Sequence, residues 1–213
     1  MPDSSGYKVI AELEYQPSQV VRGYTGKTLY VNIGDGKIEE RPVTQDMKEK
    51  FVGGRGFGLW RLWQAVSDDT KWDDPENEIV IGAGPIGGIT TYPGAGKSLV
   101  VSLSPTTGAV IDSNVGGYFG PYLKFSGWDC LEIQGKSDRD VIVFIDGDEG
   151  VVRILESPEE DVNTHVISER LLHAFADSES PKDLLAISTV SAGRGAEHTR
   201  IGCLNFSFFD MKR

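Results

Sequence analysis

Residues 78–103 limit the fold of this chain more than any other segment. They read EIVIGAGPIGGITTYPGAGKSLVVSL, an apolar run, a glycine-rich stretch and a second apolar run. The GAGPIG sequence at 82–87 has the G-x-G-x-x-G spacing that ends a strand and opens a helix in dinucleotide-binding folds. Pro93 and further glycines follow within ten residues, and the next apolar run begins at Ser98, so no crossover helix fits between the runs. The segment therefore argues against a dinucleotide-binding fold and predicts two strands joined by a loop.

The same segment also resembles the end of a phosphate-binding P-loop, through Gly96, Lys97 and Ser98. A P-loop requires glycine at position 91, where this chain has threonine, and a helix after the lysine, where Leu-Val-Val favours a strand. The Gly-Lys-Thr sequence at 26–28 fails in the same way. The glycines still allow a flat or phosphorylated ligand to approach the backbone, and Lys97 can supply a positive charge. The alternative, tight turns beside an exposed lysine, stays open on these residues alone.

The rest of the chain predicts hairpins with a few inserted helices. Residues 23–43 form a hairpin around a Gly-Asp-Gly turn at 34–36, and Thr44 caps a helix. Glycines at 53–58 interrupt the helical pattern until Leu59, and their number indicates close backbone packing. Further strands are predicted at 78–83, 98–104 and 109–112, in CLEIQGK, in DVIVFIDGDEGVVRI and in LLAISTVSAGRGAEHTRIGCLNFSFF, with a loop and short helix over 114–129 and an amphipathic helix over 163–176. Because strands and helices do not alternate regularly, the predicted fold class is α+β with mainly antiparallel sheet.

The acidic composition limits the partners of the chain. It has 21 Lys and Arg against 32 Asp and Glu, a net charge of -11 that would repel nucleic acid and an anionic membrane. The N-terminus lacks the basic and apolar regions of a secretory signal, and no run approaches the roughly 18 apolar residues of a spanning helix. Cys130 and Cys203 are too few for a disulfide scaffold, so we expect buried free thiols and a cytoplasmic location.

Five motifs occur in one order along the chain. They are GYTGKTLYVNI with GKIEE, FVGGRGFGLWRLW, DPENEIVIGAGPIGG, SLSPTTGAVIDSNVGGYFGPYLKFSGWDCLEIQGKS and AISTVSAGRGAEHTRIGCLNF. Together they resemble the N-terminal domain of the tungsten-containing aldehyde ferredoxin oxidoreductase family. The resemblance runs from about Gly23 to the C-terminus and is most specific at NVGGYFG, residues 114–120. It divides the chain into an N-terminal extension, residues 1–22, and one domain, residues 23–213.

The resemblance implies a cofactor-binding saddle of mainly antiparallel twisted sheets with a few inserted helices. A tungsten (or molybdenum) bis-pyranopterin cofactor lies on this saddle, with a magnesium ion bridging its phosphates. Lys97 stands where family members often have arginine, so the charge is kept but the planar fork is lost. The cofactor-binding residues implied by the resemblance are Lys97, Asn114, Gly116, Gly117, Gly96 and Arg55. Dithiolene sulfurs hold the metal, so no metal ligand is expected from this chain, and no catalytic residue is assigned within it.

The resemblance also implies an oxidoreductase whose other parts lie outside this chain. Such an enzyme interconverts small aldehydes and carboxylic acids and passes electrons through a [4Fe-4S] cluster, held by residues outside this chain, to a ferredoxin-like carrier. We expect the remaining domains, or a partner chain from a split gene, to complete it. Two alternatives stay open: a related enzyme that reduces an aromatic acyl-CoA, and a non-catalytic module that binds a partner without metal. Whether the protein is a homo-oligomer also stays open.

Overall fold

The computed structural model describes residues 6–158 and 163–207. In these ranges the strands are β1 (Val9–Glu14), β2 (Lys27–Asn32), β3 (Ile38–Pro42), β4 (Glu78–Gly82), β5 (Ser98–Leu103), β6 (Val110–Val115), β7 (Cys130–Gln134), β8 (Val141–Asp146), β9 (Val151–Glu156), β10 (Val190–Ser191) and β11 (Asn205–Phe206). The helices are α1 (Gln45–Phe51), α2 (Arg55–Ala65), α3 (Phe119–Phe125), α4 (Thr164–Phe175), α5 (Pro181–Leu185) and a 3₁₀ helix (Arg194–His198).

The largest sheet has six strands in the order β3-β2-β7-β4-β5-β6. Its neighbouring strands are antiparallel except β2 and β7, which run parallel with Leu29 opposite Leu131. Strands β1, β9 and β8 form a second, antiparallel sheet, and β10 pairs with β11. The prediction of an α+β fold with mainly antiparallel sheets is therefore confirmed.

One hydrophobic core joins the two larger sheets. Leu29 and Val31 of β2 and Leu131 of β7 are buried in one cluster with Val152 and Ile154 of β9. Burial of each such aliphatic side chain contributes about 1.5–3 kcal/mol. Strand β1 pairs with β9, so the described part of the predicted N-terminal extension includes a strand of this second sheet.

Helix α2 packs against β4 and β5. The close packing predicted from the glycines is confirmed at Gly58, where a Cβ would lie 2.6 Å from Cγ2 of Val101 on β5. The helix begins at Arg55, four residues before Leu59, where the sequence predicts that the helical pattern starts again. The glycines allow this earlier start, because the first turn can then lie directly on the sheet. The predicted cap of α1 is also confirmed, since the Thr44 side chain accepts a backbone hydrogen bond from the first turn.

Two local predictions are wrong. Asn114, predicted to lie in a loop, lies in β6, because the hairpin continues far enough to place it opposite Leu99. The strand predicted in LLAISTVS is confirmed only at β10 (Val190–Ser191), because Leu184 and Leu185 end helix α5, which Ser180 caps by accepting a backbone hydrogen bond.

Both cysteines are free thiols. Cys130 is buried as predicted, whereas Cys203 is partly exposed and does not match that prediction. None of the helices in the described ranges has the length and apolar character needed to cross a membrane.

Candidate functional site

The cofactor residues implied by the resemblance lie around one end of the six-stranded sheet. Ser98, which begins β5, pairs with Val115, which ends β6. Gly82, which ends β4, pairs with Leu99. Three strand ends therefore meet at the same place, and this meeting follows from the two consecutive hairpins that connect β4, β5 and β6.

Two glycine-rich loops, residues 83–97 and 116–118, leave the sheet at this end, and we call them the glycine edge. The loops touch each other, since a Cβ built on Gly96 would lie 2.6 Å from the carbonyl oxygen of Gly117. Only glycine allows this approach, because any other side chain would overlap the facing backbone. The structure thus brings together two loops that are separated by a complete hairpin in the sequence.

Three exposed side chains lie around the glycine edge: Arg55, Lys97 and Asn114. Arg55 begins α2, and its Nη2 lies 2.6 Å from Oδ2 of Asp112 on β6. Asp112 and Asn114 are two residues apart on one strand, so their side chains point to the same face. Arg55 and Asn114 therefore share a face of the sheet, while Lys97 directly precedes β5 at its end.

The start of α2 adds positive potential to this region. A Cβ on Gly54, the N-cap residue of α2, would lie 3.5 Å from the backbone nitrogen of Gly84. An α-helix carries partial positive charge at its N-terminus. Lys97 adds a full charge, whereas the charge of Arg55 is partly offset by Asp112. The glycine edge can therefore attract an anionic group.

Two buried charged side chains hold the backbone beneath the glycine edge. Nζ of Lys124, on α3, donates to the carbonyl oxygens of Gly23, at 2.9 Å, and Gly84. The carboxylate of Asp129 accepts hydrogen bonds from the N–H groups of residues 25–26, at 3.0 and 2.9 Å. Burial lowers the pKa of Lys124 and raises that of Asp129, and each charge partly offsets the shift of the other.

A second group of buried charges lies between the start of β4 and the middle of β7. Glu132 on β7 lies 2.6 Å from Nη1 of Arg41 and 3.1 Å from Nε of Arg61. Glu78 is also fully buried, but Nη1 of Arg41 lies 3.8 Å from it, and its oxygens have no hydrogen-bond partner among the described residues. Burial, and then the charge of Glu132, raises the pKa of Glu78 to about 7.

These buried charges were not predicted from the sequence. The only signal was a charged residue inside an otherwise apolar run, as for Glu78 in EIVIG and Glu132 in CLEIQ. Such a pattern does not reveal which opposite charge faces the residue, because the partners lie on other strands and helices. The same limit applies to Lys124 and Asp129.

The glycine edge fits a planar, phosphate-bearing group such as the implied pterin cofactor. A Cβ on Gly84 or Gly116 would meet no atom within 4 Å, so the backbone is open at both positions. Lys97 and Asn114 are exposed beside this open backbone and can donate hydrogen bonds to phosphate oxygens. In the described ranges, no three His, Cys, Asp or Glu side chains are grouped so that they could hold a metal ion.

The sequence matches one protein family over most of its length. The family described as aldehyde ferredoxin oxidoreductase, N-terminal domain, matches residues 28–208. The chain is 38% identical over 131 residues to the tungsten-containing aldehyde ferredoxin oxidoreductase of Pyrococcus horikoshii, covering 62% of this chain and 21% of the relative. It is 41% identical over 123 residues to the protein of the same name in Pyrococcus abyssi, covering 58% and 20%.

Other similar proteins are named for different substrates. The chain is 37% identical over 135 residues to the aliphatic sulfonate oxidoreductase, WOR-like subunit, of Pyrococcus furiosus, covering 61% of this chain and 21% of that one. Among solved structures, the active-site complex of benzoyl coenzyme A reductase with 1,5-dienoyl-CoA is similar, with a TM-score of 0.67 and 26% identity. That similarity covers 87% of this chain and 26% of the other. The chain thus spans about a fifth of the length of the curated relatives it matches.

Proposed function

Because the chain belongs to the aldehyde ferredoxin oxidoreductase family and contains its N-terminal domain, we propose that it forms one side of a tungsten–bis-pyranopterin site. The complete enzyme would interconvert aldehydes and carboxylic acids. The relatives with the same domain are named as tungsten-containing oxidoreductases, which supports the metal and the reaction class. Molybdenum in place of tungsten is compatible with the same protein contacts, since this chain is not expected to bind the metal directly.

The single observation that carries the proposal is the glycine edge. The pairing of β5 with β6 brings Lys97 and Gly96 next to Gly117 and close to Asn114, although a hairpin separates them in sequence. Lys97 and Asn114 would donate hydrogen bonds to the pterin phosphates, the amide oxygen of Asn114 would face their magnesium ion, and the open backbone at Gly116 would allow close approach. Arg55, bound to Asp112, would extend the positive surface.

The chain would act on the cofactor by binding and orienting it. When bound, the tungsten–pterin group supplies the two-electron oxidation and reduction chemistry. Electrons would leave through a [4Fe-4S] cluster held outside this chain and then reach a ferredoxin-like carrier. The remaining domains, or a partner chain, would supply the cluster ligands and the substrate pocket, in keeping with the fifth of each relative that this chain spans.

The proposal is tested by changing Lys97 in the complete assembly, meaning this chain together with the rest of the enzyme. Lys97→Met removes a hydrogen bond to a charged group, worth about 1.5–3 kcal/mol, which corresponds to roughly 10–150-fold weaker cofactor retention. Tungsten, molybdenum and pterin per folded chain are measured after extensive dialysis. Lys71→Met, an exposed lysine on the loop before β4, is the matched control. Equal retention in both variants would show that Lys97 does not contact the cofactor.

A second variant tests the opposite charge change at the same site. Asn114→Asp places a negative charge beside the expected phosphates, so we expect weaker retention that high salt partly restores. Cofactor content is measured at low and at high ionic strength. If Asn114→Asp keeps wild-type cofactor content at low salt, Asn114 does not lie beside the cofactor phosphates.

Reduction of an aromatic acyl-CoA is the second candidate function. The similarity to the benzoyl coenzyme A reductase complex over 87% of this chain favours it. The assembly is assayed for aldehyde oxidation with a low-potential electron acceptor and for reduction of an aryl-CoA thioester with a reduced carrier. Activity only with the thioester would replace the first candidate by the second. A folded assembly that contains no tungsten, molybdenum or pterin would refute both and favour a non-catalytic module.

A further inference from the structure

Lys124 has an unusual environment for a lysine in a short helix. Its residue is only 2% exposed, and its side chain runs from α3 into the backbone beneath the glycine edge. Its ammonium group donates to two carbonyl oxygens, those of Gly23 and Gly84. Buried lysines are rare unless their charge is compensated. Here the compensation comes from two peptide carbonyls and the nearby carboxylate of Asp129.

The two carbonyls belong to segments that no direct strand pairing connects. Gly23 precedes β2 and Gly84 follows β4, while β7 lies between these strands in the sheet. Asp129, just before β7, joins the neighbouring backbone, since its N–H donates to Lys27 and its carbonyl oxygen accepts from Ala83. The two outer segments also pack directly against each other, since a Cβ on Gly23 would overlap the carbonyl group of Pro85. Lys124 adds a hydrogen-bonded link between them, and we call this contact the Lys124 bridge.

The Lys124 bridge is linked to Lys97 by successive contacts within the glycine edge. The carbonyl oxygen of Gly84 also accepts the N–H of Gly87, at 2.9 Å, and the next N–H, of Gly88, donates to Ala95 at 2.8 Å. Ala95 lies two residues before Lys97. Helix α3, which carries Lys124, also packs directly against Lys97, because a Cβ on Gly120 would lie 3.2 Å from the carbonyl oxygen of Lys97.

We propose that Lys124 is a positioning residue for the cofactor, which sets the conformation of the 83–97 loop and so the place of Lys97. Lys124 does not contact the cofactor itself, because its ammonium group is enclosed by backbone. This inference rests on the proposed function, since it concerns the site that the glycine edge would form. It also predicts slow amide hydrogen exchange in the 83–97 loop, which can be measured without any assay of activity.

The test compares Lys124→Met with a second destabilised variant in the complete assembly. Leu155→Ala removes buried volume from β9 on the face opposite the cluster that contains Leu123, and its thermal midpoint provides the stability reference. For Lys124→Met we expect about tenfold faster amide hydrogen exchange in 83–97 and about tenfold lower metal and pterin content per folded chain. Leu155→Ala should leave both quantities near wild type. Lys124→Arg, which keeps charge and donors, should restore part of the exchange protection.

Specific outcomes overturn the inference. Wild-type exchange in 83–97 together with wild-type cofactor content in Lys124→Met would do so. A cofactor loss in Lys124→Met no larger than that in Leu155→Ala would also do so. If Lys124→Met does not fold, Lys124→Gln, which retains two N–H donors, is compared by the same two measurements. A wild-type assembly without cofactor would refute the proposed function and this inference together, whereas a loaded wild type beside an equally loaded Lys124→Met would refute the inference alone.

Discussion

Glu78 makes the stability of this protein depend on pH in a direction that can be measured. Its pKa of about 7 in the folded chain, against an ordinary value of 4.5, means that folding opposes ionisation. Well below pH 4.5, Glu78 is protonated in both the folded and the unfolded state and does not lower the free energy of unfolding. As the pH rises from 4.5 through 7, ionisation favours the unfolded state, so the free energy of unfolding falls, and above pH 7 this loss stays constant. A difference of 2.5 pKa units at 1.36 kcal/mol each gives about 3 kcal/mol.

Glu78→Gln removes this pH dependence while preserving the shape of the side chain. Relative to wild type, the variant should gain about 3 kcal/mol of unfolding free energy between about pH 4 and pH 8. A pH-independent difference in unfolding free energy between the carboxyl and the amide cancels, because the predicted gain is the change between two pH values. Urea unfolding followed by circular dichroism at several pH values measures the quantity.

Glu132→Gln is a companion variant, because the charge of Glu132 is the second cause of the raised pKa of Glu78. Glu132 lies close to Arg41 and Arg61, so its removal leaves the buried guanidinium of Arg61 and the partly exposed one of Arg41 without this carboxylate. We expect a loss of about 3–5 kcal/mol at neutral pH. If the unfolding free energies of Glu78→Gln and wild type run parallel from pH 4 to pH 8, the buried environment assigned to Glu78 is wrong.

Two further predictions concern the support of the site and of the sheet. Asp129→Asn should destabilise the chain by about 1–3 kcal/mol, because the carboxylate accepts a buried and a partly buried N–H group at residues 25–26; unchanged urea unfolding would contradict these contacts. Gly58→Ala should cost about 1–3 kcal/mol, because the added methyl group would lie 2.6 Å from Val101, and an unchanged thermal midpoint would show that α2 packs less closely.

The features that the sequence predicted well depend on neighbouring residues. The 23–43 hairpin follows from its Gly-Asp-Gly turn, and the start of α1 follows from Thr44, whose side chain reaches only three residues ahead. The number of glycines at 53–58 indicates close backbone packing in that segment, and the structure shows the contact at Gly58. The β5–β6 hairpin was also predicted, but its length was not, so Asn114 was assigned to a loop.

The features that the sequence did not predict depend on contacts between distant residues. Lys124 and Gly23 are 101 residues apart, and Thr25 and Asp129 are 104 apart, yet both pairs form because β2 and β7 are parallel neighbours. The strand order of the six-stranded sheet is therefore needed before these partners can be found. The site residues, in contrast, came from a resemblance in motif order, and their proximity at the glycine edge came only from the structure.

The position of the cofactor in a loaded assembly tests the central claim most directly. An experimental structure of the complete enzyme would show which protein atoms surround the pterin phosphates. We predict a phosphate oxygen within about 2.7–3.2 Å of Nζ of Lys97 or of a backbone N–H in 116–118. A fully occupied cofactor whose phosphates lie away from the glycine edge, with Lys97 exposed to solvent, would contradict the account.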